Sequence, residues 1–179
     1  MAETTGTSTG RSRMVTGLFR DRESAERAYG SLTGRGYSKD DVNLVMSDDT
    51  RKKHFSDDND TELDTKAWEG AGKGAAIGGT VGATLAAIAA IGTSIALPGI
   101  GLLIAGPLAA GIAGAGAGGL TGGLIGALVG SGIPEDRAKD YEKGINEGGI
   151  LMGVNTRTDE DAEYFESDWK TNRGEHVYR

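Results

Sequence analysis

From Gly74 to Pro134 the chain runs 61 residues without a charged side chain, and 18 of these are Gly and 15 are Ala. A run of this kind has to be shielded from water, because each Gly in a water-exposed helix loses roughly 1 kcal/mol against Ala. In lipid the helix is enforced instead, since an unpaired backbone group there costs several kcal/mol. Written on a helix, Gly70, Gly74, Gly78 and Gly82 fall four apart, continued by Ala86 and Ala90, and Gly114, Gly118, Gly122, Gly126 and Gly130 repeat the spacing. Small residues on one stripe let two helix backbones approach closely, which is how membrane helices pack.

Pro98-Gly99 and Gly106-Pro107 bracket a ten-residue break, leaving arms of 24 residues at 74–97 and 108–131. A helix of that length spans about 36 Å, enough for a hydrocarbon core of ~30 Å with some tilt. The expectation is a transmembrane helical hairpin that turns at Pro98, Gly99 and Pro107, is anchored at the interface by Trp68 and Lys73, and packs into a homo-oligomer through its glycines. The turn carries no polar side chain, which suits the far interface or a re-entrant loop. The competing expectation is an apolar hairpin buried inside a soluble oligomer.

All charge lies outside the uncharged run. Residues 1–73 carry 12 Lys and Arg against 14 Asp and Glu, and residues 135–179 carry 7 against 12, which gives −2 and −5 and accounts for the net −7. An acidic chain is a poor match for nucleic acid, where phosphate neutralisation supplies most of the affinity. With no Cys there is no disulfide framework and no thiolate metal site.

Taken in order, residues 1–13 read as a disordered tail rather than a secretory signal, being Thr-, Ser- and Gly-rich with no apolar run. Residues 14–47 give strand, helix, strand. Val15 and Phe19 share one strand face with Leu18 on the other, Asp21 caps a helix striped by Ala25, Ala28, Tyr29 and Leu32, and Gly34 and Gly36 stop it. In the second strand, at 42–46, the polar Asn43 suggests a partly exposed edge or face. Residues 48–69 form a polar linker, residues 70–133 the hairpin, and residues 134–149 an amphipathic helix with Pro134 at its first position and Ala138, Tyr141 and Ile145 on its apolar stripe. Residues 150–179 repeat strand, helix, strand, with Thr158 as cap and Ala162, Phe165 and Trp169 as stripe. The fold class is therefore α+β, a ferredoxin-like βαββαβ domain with an inserted glycine- and alanine-rich helical hairpin. Lys66, Lys73, Arg137 and Lys139 flank the hairpin and its turn is uncharged, so the positive-inside tendency places the domain on the cytoplasmic side of the inner membrane. The soluble alternative is cytoplasmic.

Motifs that could carry chemistry fail on spacing. The acidic run from Asp57 to Asp64 has Leu63 where a calcium loop needs Gly, and no Glu closes it. Near Lys73 a phosphate-binding loop would need Gly at position 67, which is Ala, and Ser or Thr at position 74, which is Gly. His54 and His176 do not lie at metal-ligand spacing, and no Ser or Thr sits in a nucleophile elbow. The expectation is a protein that is not an enzyme, with no cofactor, no metal site and no catalytic residue.

The segments Phe19-Arg-Asp-Arg-Glu-Ser-Ala-Glu-Arg-Ala, Gly36-Tyr-Ser-Lys-Asp-Asp-Val, Gly132-Ile-Pro-Glu-Asp-Arg-Ala and Gly148-Gly-Ile-Leu, joined by the Gly/Ala block, resemble the bacterial general stress protein family with the heat-induced YflT-like domain. They are similar to its long members, some of them described as low-temperature-induced, over most of residues 14–173. The resemblance implies a stress-associated bacterial protein and carries over no catalytic residue.

Overall fold

The computed structural model describes residues 14–55, 101–109 and 123–179. Within them, β1 (Met14–Phe19) leads to α1 (Arg22–Gly34), β2 (Val42–Ser47) to α2 (Asp48–Phe55), and then β3 (Leu102–Ala105). They are followed by α3 (Gly123–Gly130), α4 (Glu135–Asn146), β4 (Ile150–Asn155), α5 (Asp159–Thr171) and β5 (Glu175–Tyr178). The five strands make one sheet in the order β3-β2-β4-β1-β5, with every neighbouring pair antiparallel. Both β1 and β2 run antiparallel to β4, so they are parallel to each other and α1 is the crossover between them.

Alternation along each strand sends side chains to two different layers. Val15 and Phe19, Val42, Leu44 and Met46, and Ile150, Met152 and Val154 meet the apolar stripes of α1 and α5 on one face. Those stripes are the ones that spacing predicts: Ala25, Ala28, Tyr29 and Leu32 on α1, and Ala162, Phe165 and Trp169 on α5, all buried. The caps also agree. Asp21 accepts from the Ser24 amide at 2.8 Å and Thr158 from the Asp161 amide at 3.1 Å. Pro134 differs by one position, standing just before the first helical residue, Glu135.

On the other face Leu18, Val45 and Leu151 are covered by α3, by α4 and by residues from the uncharged run itself. Leu102 and Ile104 of β3, Leu108, Ala109 and then Leu124, Ala127 and Leu128 of α3 are all buried there. Gly144 lets α4 come down on the sheet, since a side chain at that position would collide with Leu18.

Four expectations are corrected. Where the hairpin turn is expected, Leu102–Ala105 is instead the terminal strand of the sheet, paired with Leu44–Ser47. Four apolar residues next to β2 satisfy their backbone groups in its ladder, a stronger arrangement than a free loop. The second arm is not one continuous helix through 108–131, because Gly123 has φ 62, outside the right-handed helical region. The polar linker expected to begin at position 48 begins with α2, which Ser47 caps by accepting from the Thr50 amide at 3.1 Å and which Phe55 ties to the core. Asn43 is not at an exposed edge; it is 4% exposed, and its side-chain oxygen accepts the Leu108 amide at 2.6 Å. Among the described residues no helix is long and apolar enough to cross a membrane.

Candidate functional site

Because β1 and β2 are parallel and β3 and β4 oppose them, the chain leaves the first two strands and enters the other two at the same end of the sheet. That end gathers Arg20 and Asp21 after β1, Ser47 to Thr50 and Lys52 to His54 around α2, Gly101 before β3, and Asn146 to Gly148 at the end of α4. They border an open groove of about 850 Å³. Gly148, at φ 91, lets the chain leave α4 sharply and enter β4.

Arg20 spans the rim, its Nε donating to Glu175 and its Nη1 to Glu147, both at 2.8 Å. Those hydrogen bonds, the one to Glu147 first, hold the guanidinium above its ordinary value. Burial would push the Asp21 carboxyl up, but hydrogen bonds from the Ser24 amide and hydroxyl bring it below the usual carboxylate range. His54 titrates below an ordinary imidazole, first through burial and then through the positive charge of Lys53 and Arg22. The groove hydroxyls are already engaged, Ser47 Oγ lying 2.8 Å from Thr50 Oγ1 while it caps α2. Among the described residues no three His, Cys, Asp or Glu groups are placed to hold a metal ion. The chemistry on offer is ionic and hydrogen-bonding recognition of a polar ligand, with cations and carboxylates interleaved.

A second feature lies beneath α4. Thr16 and Asn43 face Gly153 from opposite sides in the sheet register, which makes a polar row across an otherwise apolar layer. The Tyr141 hydroxyl lies 2.7 Å from both Thr16 Oγ1 and the His176 carbonyl, and burial pushes its ionisation well above the ordinary tyrosine value. Next to this row Met14, Ile133 and Pro134, with Arg137 and Arg179, border a smaller cleft of about 240 Å³. Arg137 stacks over the Tyr178 ring at 4.2 Å.

Of the residues expected to pack helices, Gly126 is half-buried on α3, and Gly130 is exposed with open space where a side chain would stand. The packing stripe of α3 is Leu124, Ala127 and Leu128, so Gly130 is not a close-approach position among the described residues. Pro107 is exposed, directly after Gly106, whose φ of 92 turns the chain away from β3. Gly70, Gly74, Gly78, Gly82, Gly114, Gly118, Gly122, Pro98, Gly99, Trp68 and Lys73 lie outside the described residues. Neither the groove nor the polar row is evident from spacing, because each is assembled from segments far apart in the chain. The one local signal was a polar Asn43 in an apolar strand. No protein-family model, no curated protein and no solved structure matches this chain.

Proposed function

We propose that the chain is a non-enzymatic, stress-associated module that works by binding and assembly, and that keeps its uncharged segment against its own sheet. A ferredoxin-like frame is supported by the order β2-β4-β1-β5 that remains when β3 is set aside, since two interleaved β-α-β units would give it. The observation that carries the reading is the pairing of Leu102–Ala105 with β2. A hairpin with one crossing per arm needs that segment a bilayer's thickness from the domain, whereas Gly101 accepts the Asp48 amide at 2.6 Å. Two crossings between α2 and β3 would need about 40 apolar residues; Gly74 to Ile100 supplies 27 uncharged ones. The stress association rests on the family resemblance, and the non-catalytic role is supported by groove hydroxyls bonded to each other, Ser47 to Thr50, with Ser47 also capping α2. Self-association is supported by the uncharged outer side of α3, where Val129 is 42% exposed beside half-buried Ile125.

Fractionating cells that express the full chain tests this. The expected result is recovery in the carbonate supernatant and, without detergent, a particle larger than the 18.4 kDa monomer by light scattering. Carbonate-resistant residence in the inner membrane, with the domain facing the cytoplasm, would overturn the reading in favour of a bilayer anchor. A monomer would remove the assembly half.

A further inference from the structure

The uncharged residues on the sheet are fastened at both ends by groups from β2 and α2. At one end the Asp48 amide donates to the Gly101 carbonyl at 2.6 Å, and at the other the Leu108 amide donates to the buried Asn43 side chain, also at 2.6 Å. Between them only four residues pair with β2, and β3 is the last strand of the sheet. Leu102, Leu103 and Ile104 are at most 1% exposed. Gly106 fixes the exit, since a side chain there would collide with the Val42 carbonyl oxygen.

Apolar side chains are shielded from water about as well by hydrocarbon as by a protein interior, so burial alone does not choose between the two. Directional bonds choose: the short ladder and the two end fastenings hold the segment to the sheet. As the last strand, β3 is laddered on one side only, so fewer backbone bonds hold it than hold an inner strand. We propose that β3 is a strap that a lipid surface can draw off β2, with Asn43 as its latch. The partner is the apolar layer of a bilayer, and Leu102, Leu103 and Ile104 are what the strap offers to it. The inference rests on the reading that the segment lies on the sheet when no lipid is present.

A disulfide tests it cleanly because the chain has no Cys of its own. Val45 and Ile104 are Cα partners, so V45C/I104C joins β2 to β3 when oxidised. Flotation of the full chain with phosphatidylcholine vesicles should show the oxidised form bound at least about tenfold more weakly than the reduced form of the same variant, with binding restored by reductant. Asn43→Val removes the latch and should raise binding about tenfold, the scale of one buried hydrogen bond. Far-UV circular dichroism checks that this variant is folded; if it is not, the disulfide pair decides alone. Equal flotation of oxidised and reduced forms, or none by either, would overturn the strap and leave the soluble module standing. Carbonate-resistant membrane residence of the oxidised form would overturn the module itself.

Discussion

The two faces of the sheet are buried equally well by different means. On the α1 and α5 side the core is aromatic, with Phe19 edge-on to Trp169 at 5.7 Å and Tyr37 edge-on to Phe165 at 5.2 Å, and the covering helices carry charge outward. Ion pairs tie that cover to itself: Asp161 meets Arg35 at 2.6 Å and the Tyr37 hydroxyl at 2.7 Å. On the other side the cover is aliphatic, drawn largely from a run without charge, and its fixed points are buried polar atoms of Thr16, Asn43 and Tyr141. Aromatic bulk holds the first face, whereas hydrogen bonds beneath an aliphatic cover set the position of the second. The first face should therefore dominate global stability, and the second should be able to come loose in parts.

Trp169→Ala should produce the largest effect, about 3–5 kcal/mol in urea unfolding, because it empties a fully buried site. Ile104→Ala should cost about 2–4 kcal/mol by the same rule. Hydrogen exchange separates the faces: Trp169→Ala should weaken protection throughout the sheet, and Ile104→Ala chiefly at β3 and its partner β2. If both variants lose protection everywhere, the faces form one cooperative unit and the contrast fails. Gly106→Ala comes next, at about 1–3 kcal/mol of backbone strain, again read as lost protection at β3.

The first face was legible in the sequence, and so was the α4 side of the second, with Leu18 and the stripe of Ala138, Tyr141 and Ile145; the part covered by the uncharged run was not, for physical reasons. Stripes such as Ala25, Ala28, Tyr29 and Leu32 reveal themselves because charged residues interrupt them, and a capping Asp21 or Thr158 marks where they start. In the uncharged run the contrast between inner and outer faces vanishes, so periodicity cannot tell a bilayer helix from four residues of edge strand. The proline and glycine punctuation was placed correctly at Gly106-Pro107, but its meaning changed: Gly106 turns the chain from strand β3 into the next segment, where a helix-to-helix turn was expected. The groove shares that opacity, since Arg20, Glu147 and Glu175 come together only through strand order.

The smallest expected effect sharpens the comparison through pH. Tyr141 on the second face and Tyr37 on the first both titrate above 10.0, each chiefly through burial. A raised folded-state value means that the unfolded chain gives up its proton first. Their contribution to stability is therefore complete below pH about 10 and declines as pH rises through the folded-state values. Tyr141→Phe should cost about 1 kcal/mol at neutral pH through its hydrogen bonds to Thr16 and His176. It should also flatten the alkaline decline of the unfolding midpoint more than Tyr37→Phe does, because burial under α4 raises Tyr141 far even against its hydrogen bond with Thr16, while at Tyr37 burial is weaker and the Arg157 amide at 2.9 Å opposes it. Equal flattening by the two variants would mean that the polar row under α4 is no more sheltered than the aromatic layer, and the distinction between the faces would reduce to side-chain size.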